Sequence, residues 1–206
     1  MKAVKSVLAA VLSLSVVAPA IAGDYIPYHK ENLMTAKDAI DPTMKEVGII
    51  DGLMYGIGAH DDGTTADFEA EAYPEDADGK HADTWRVTCL RDPMTDEKMC
   101  SLHKSDLAFI YRGGDLLNVD AGLISPINIS AIETRGTADK TVYKNAPYNK
   151  NQFKPGQAMN AEANLYGGFK LRIRYTRKDG QLIYHEVSPK GFRQAADYMK
   201  WRYAHM

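Results

Sequence analysis

The sequence predicts a mainly β fold, a small antiparallel β-sandwich or barrel closed by a C-terminal helix and preceded by a partly helical N-terminal arm. Three observations carry this reading. Trp85, Val87 and Cys89 alternate with Arg86 and Thr88, giving one apolar and one polar face at the period of a strand. Phe169-Lys-Leu-Arg-Ile-Arg-Tyr175 repeats the alternation with three basic residues on its polar face, and Lys178-Asp179-Gly180 turns it back through residues 181–187 as a hairpin. After Ser188-Pro189, the residues Phe192, Ala195, Ala196, Met199 and Tyr203 recur at helical spacing.

The first 22 residues read as an export signal. Lys2 and Lys5 precede an apolar run at 7–17, and Ala20-Ile21-Ala22 supplies the small residues a signal peptidase requires. The expectation is cleavage between Ala22 and Gly23 and a periplasmic or secreted mature chain. The apolar run is short for a membrane anchor and ends at Pro19, and no later segment reaches the roughly 20 apolar residues of a spanning helix. The remaining length suffices for one domain with a core, or a domain plus an arm.

Residues 23–83 form the expected arm and acidic linker. The stretch 35–44 reads as a short helix or turn interrupted by Pro42. Val47, Ile50, Met54 and Ile57 stand three and four apart, a helical stripe weakened by glycines. Residues 61–83 carry nine acids against Lys80 alone. The β-domain is expected over 84–206. Asp92-Pro-Met-Thr-Asp96 is turn chemistry between strands at 85–89 and 98–102. Strands follow at 107–111, 116–119 and 127–133, with a turn at Arg112-Gly-Gly-Asp115. Residues 143–156 read as a polar loop with two prolines. Serine and proline suit the N-cap and first position of the closing helix, which places its start at Ser188-Pro189.

Cys89 and Cys100 are the only cysteines. An even count, close spacing and an oxidising destination make a disulfide the leading reading, and a ring of this size stabilises by roughly 3 kcal/mol on the entropic model. Free thiols and metal ligation are the rivals. Two cysteines without a second pair fall short of a structural zinc set, and the spacing is not that of a C-x-x-C exchange site. Alternation puts His103 on a different face from Leu102.

Trp85-x-x-x-Cys89, the acidic loop and Cys100-Ser-Leu102, followed by strands, resemble the invasion-associated locus B family of exported proteobacterial proteins. Ser188-x-x-Gly191-Phe192-x-x-Ala195 resembles that family's closing segment. The resemblance spans about residues 84–206. It implies a compact periplasmic or surface β-domain with a role in host-cell interaction or the envelope, and it brings no catalytic residues. Members often carry a second cysteine pair, which this chain lacks, so residues 135–165 are expected to be built differently.

Residue chemistry points to no enzyme class. The six histidines show neither H-x-x-x-H nor H-E-x-x-H spacing, and no G-x-S-x-G occurs. His60-Asp61-Asp62 and Asp76-x-Asp78-Gly79 offer carboxylates for a cation, but Lys80 breaks the calcium-loop pattern, so no metal is assigned. No cofactor is called for. Gly113-Gly114 and Gly167-Gly168 read as turn glycines. The net charge of −2 argues against a general nucleic-acid binder. Yet residues 170–206 hold nine basic residues against three acids. Arg172, Arg174, Arg177 and Lys178 are candidates for an anionic ligand, and Tyr143, Tyr148, Phe153 and Tyr166 for an aromatic contact surface, each against the plainer reading of a solvated strand face or a core residue. The expected function is a non-catalytic binding module whose partner is an unknown protein or envelope component. The alternative is an inhibitor or immunity-type protein that blocks a cell-wall enzyme or toxin, with residues 143–156 as the protruding loop. A hydrolase would need a cleft gathering a histidine and carboxylates.

Overall fold

The computed structural model describes residues 25–35, 37–39, 41–69, 84–112, 119–124, 129–138, 141–145 and 151–206. The expected signal segment, most of the acidic stretch and Tyr148 lie outside them. Seven strands follow one another as an antiparallel meander: β1 (Met44–Ile50), β2 (Leu53–His60), β3 (Gly63–Glu69), β4 (Trp85–Arg91), β5 (Lys98–Lys104), β6 (Leu107–Arg112) and β7 (Val119–Leu123). A second antiparallel sheet has the order β11-β10-β8-β9, from β8 (Ile129–Gly136), β9 (Tyr143–Asn145), β10 (Leu171–Arg177) and β11 (Leu182–Val187). Helix α1 (Pro155–Tyr166) packs on β7, β8 and β10, while α2 (Phe192–Ala204) packs on β3, β4 and β5. The fold is therefore mainly β, sandwich-like and closed by the C-terminal helix.

Alternation decides which faces are buried. Trp85, Val87 and Cys89 on β4 and Cys100 and Leu102 on β5 point inward, and Arg86 points out. Phe192 of α2 meets Trp85 edge-on at 4.9 Å and Phe109 at 5.4 Å. Each such large apolar side chain contributes about 1.5–3 kcal/mol when fully buried. Cys89 and Cys100 are directly opposed in the β4–β5 ladder, with Cα atoms 4.1 Å apart, and they form a disulfide. Asp92 Oδ1 accepts from the Met94 and Thr95 amides, which shapes the turn between them. The bond lies beneath α2, where Cys100 Sγ is 3.8 Å from the Met199 carbonyl oxygen.

The helix expected from Val47, Ile50, Met54 and Ile57 is replaced by the β1–β2 hairpin. Asp51 (φ 51°) and Gly52 (φ 78°) both adopt the left-handed conformation that a two-residue hairpin turn demands. The Asp-Gly pair was the stronger signal, and the three-four spacing was incidental. In the arm, the helical piece among the described residues is a 3-10 turn at Lys30–Asn32. Strands β1–β3 continue the ladder of β4–β7. The closing helix begins at Phe192 rather than at Ser188, because Gly191 (φ 83°) supplies the N-cap and the Phe192 amide closes a turn onto the Pro189 carbonyl. Helix α1 had no counterpart in the sequence reading, which gave 143–156 as a loop. Pro155 occupies its first turn and Gly167 ends it.

The arm is tied down by one carboxylate. Glu46, fully buried on β1, accepts from the Tyr28 amide (2.9 Å), the His29 amide (2.6 Å), the Tyr25 hydroxyl (3.0 Å) and the Tyr55 hydroxyl (2.7 Å). Burial, followed by the Glu46 charge, pushes the Tyr25 phenol far above its ordinary value. Burial likewise raises Tyr198, to about 12.

Candidate functional site

The outer face of the four-stranded sheet gathers two of the candidate residues, Arg172 and Arg174, with partners from the neighbouring strands. On β10, Leu171, Ile173 and Tyr175 point inward, so Arg172 and Arg174 point out. Directly opposed residues in an antiparallel sheet share a face. The register therefore forms two outward rows. In one, Glu186 of β11 and Arg135 of β8 flank Arg172. In the other, Tyr184 and Glu133 flank Arg174, and Lys144 of β9 stands beyond Glu133.

Most of these charges are engaged. Arg174 donates to Glu133, and Lys144 Nζ lies 3.2 Å from the same carboxylate. Burial pushes Glu133 up, but the Arg174 and Lys144 hydrogen bonds outweigh it and leave the group below its ordinary value. Glu186 is held down by hydrogen bonds from Lys170 (2.6 Å) and Arg172 (3.0 Å). Arg174 also lies over the Tyr184 ring, 5.8 Å from its centroid. A groove of about 190 Å³ runs across the strands, lined by Glu133, Arg135, Val142, Arg172, Arg174 and Tyr184 among others. Tyr184 is 65% exposed and Val142 50%, so apolar surface flanks the guanidinium groups. Five cations (Arg135, Lys144, Lys170, Arg172 and Arg174) face two carboxylates here, although the whole chain is net negative.

The other candidates do not join this face. Arg177 is held at the β10–β11 turn by Gln181 Oε1 at 2.8 Å. Tyr143 pairs with Thr134 in the β8–β9 register and so shares the inward face; its carbonyl accepts from Gln157 Nε2. Phe153, a candidate for the contact surface set against the plainer reading of a core residue, is 3% exposed in the core. Tyr166 hydrogen-bonds Asp197 between the helices. His103 does sit on the outer face of the large sheet, opposite Arg86. His60, Asp61 and Asp62 form the β2–β3 turn region, and among the described residues no three His, Cys, Asp or Glu side chains converge to hold a metal.

The sequence reading missed Arg135, Glu133, Lys144 and Tyr184 as site residues. Glu133 and Arg135 alternate through β8, which runs on to Gly136, past the end expected at Glu133. Tyr184 stood in a recognised hairpin, yet only the register shows that it lies beside Arg174. Chemically, the face presents planar cations, one exposed ring and one carboxylate fixed as an acceptor. No helix among the described residues is long and apolar enough to cross a membrane. No family model matches the chain, and the searches of curated proteins and of solved structures likewise gave no match.

Proposed function

We propose that this chain is an exported, non-catalytic binding module, similar to the invasion-associated locus B proteins, acting in the envelope or in contact with a host. The observation that carries the reading is the outer face of the β8–β11 sheet. Solvent-facing strands normally carry scattered polar residues. Here Arg135, Arg172 and Arg174 are concentrated around an exposed Tyr184 and the apolar Val142 and Leu182. Aromatic residues and arginines are the residue types that interface hot spots favour. The disulfide is compatible with an oxidising compartment.

The test is a pull-down of the exported form from its own envelope extract, analysed by mass spectrometry. Wild-type protein recovers a specific component, and a variant with Arg172→Glu and Tyr184→Ala does not. Equal recovery by the two proteins removes this face from the function. Turnover of a substrate by the purified chain refutes the non-catalytic reading. Of the loop on which the blocking-protein alternative rests, residues 143–145 form β9 and 155–156 open α1, while 146–150 lie outside the described residues.

A further inference from the structure

Resting on that reading, we infer that Arg135 and Arg172 form an anion subsite for an acidic saccharide, with Tyr184 as the platform for the sugar ring. The two arginines are directly opposed in the middle of the sheet. Like charges in that position destabilise a strand pair. The fold relieves the conflict on the β11 side alone. Arg172 engages Glu186 through Nε, and Arg135 has no ion pair or side-chain hydrogen bond with any described residue. In the adjacent row the same positions hold Arg174 and Glu133, an ordinary opposite-charge pair. A pair of guanidinium groups without a carboxylate between them is built to take an oxyanion from outside, and planar guanidinium matches carboxylate and phosphate geometry.

The surroundings indicate what carries the anion. The groove crosses the sheet face over the central strand β10, whose backbone is paired on both sides by β8 and β11. A peptide adding as a strand needs a free edge, so it gains no backbone bonds here. Recognition must come from side chains. The exposed Tyr184 ring offers an apolar platform beside Arg174, and Glu133 lines the groove with acceptor sites beyond those that Arg174 and Lys144 occupy. A ring with an apolar face, several hydroxyls and one oxyanion satisfies all three elements. That is a uronic acid or a sugar phosphate within a glycan.

The experiment uses the mature chain and follows backbone and arginine Nε–H signals by NMR. The probes are trigalacturonate, glucose 6-phosphate, neutral maltotriose and a hexaglutamate peptide. The expected result is saturable, salt-sensitive shifts at Arg135, Arg172 and Tyr184 with one or both acidic sugars; which of them binds tells carboxylate from phosphate. Arg135→Gln and Arg172→Gln each weaken binding about tenfold or more, whereas Arg177→Gln leaves it unchanged. Arg135→Gln also leaves the thermal midpoint unchanged or raises it, because it removes a like-charge contact. The inference is overturned by silence from both acidic sugars, by equal binding of maltotriose, by tighter binding of hexaglutamate, or by a lower midpoint in Arg135→Gln. If the arginine variants fail this test but the envelope pull-down still recovers a component through this face, the subsite falls and the binding-module reading stands.

Discussion

Replacing Glu46 should release the N-terminal arm and destabilise the domain by a calculable amount. Each carboxylate oxygen serves one backbone amide and one phenol: Oε1 takes His29 and Tyr55, and Oε2 takes Tyr28 and Tyr25. Glutamine keeps the shape but turns one acceptor into a donor. A phenol can rotate to accept from it, whereas a backbone N–H cannot. One buried amide is therefore orphaned, at about 1–3 kcal/mol, and the surviving bonds lose their charge assistance, worth about another 1 kcal/mol. Glu46→Gln should cost about 2–4 kcal/mol, and Glu46→Ala more, because both amides are stranded beside a void. Urea unfolding measures the global term, and hydrogen exchange at the Tyr28 and His29 amides measures release of the arm. Alkaline titration gives a third readout: Tyr25, raised by burial and then by the Glu46 charge, should move back toward its ordinary value in the variant. Stability within about 0.5 kcal/mol of wild type together with unchanged amide exchange would refute the clasp.

Three further outcomes are expected. Burial, followed by the Arg86 charge and opposed by Asp67, holds His103 below its ordinary value. Its share of stability is therefore present above the unfolded value of 6.5 and lost as pH falls through the folded value. His103→Gln should flatten that part of the acid limb in unfolding midpoints measured from neutral pH downward, and an unchanged limb would dismiss the residue. Gly63→Ala should cost more than about 2 kcal/mol, since its Cβ would strike the Cys89 carbonyl oxygen and come within 3.1 Å of Leu90 Cα; a wild-type denaturation midpoint would contradict this. Replacing both cysteines by alanine should cost about 3 kcal/mol, read by calorimetry, and an unchanged midpoint would show that the ladder needs no staple.

Much of the β-domain could be read in advance, because its strands bury one face and leave the other wet. Trp85-Val87-Cys89 and Leu171-Ile173-Tyr175 are cases where the alternation and the burial coincide. Reading failed where side-chain size hid the pattern. Helix α1 buries Ala158, Ala161 and Leu165 beside the polar Gln157 and Asn164, so its inward face looks no more apolar than a loop. Hairpin β1–β2 failed for the opposite reason: its apolar residues imitated helical spacing, and a two-residue turn outweighed them. The candidate site was half legible. Arg172 and Arg174 follow from the alternation of one strand. Their neighbours Arg135, Glu133 and Tyr184 depend on the pairing of three strands, and pairing is a long-range choice that no single segment encodes.

The position of the disulfide under α2 has a consequence for timing. Residues 89 and 100 precede residues 192–204 in the chain, and their sulfurs are open to an oxidant only until that helix docks. Once α2 docks, Met199 and its neighbours close over the sulfurs. With both cysteines fully buried, ambient thiols reach the bond only when the helix lifts. The rate at which a small reductant cleaves the Cys89–Cys100 bond in the native protein thus becomes a clock for the opening of the C-terminal helix.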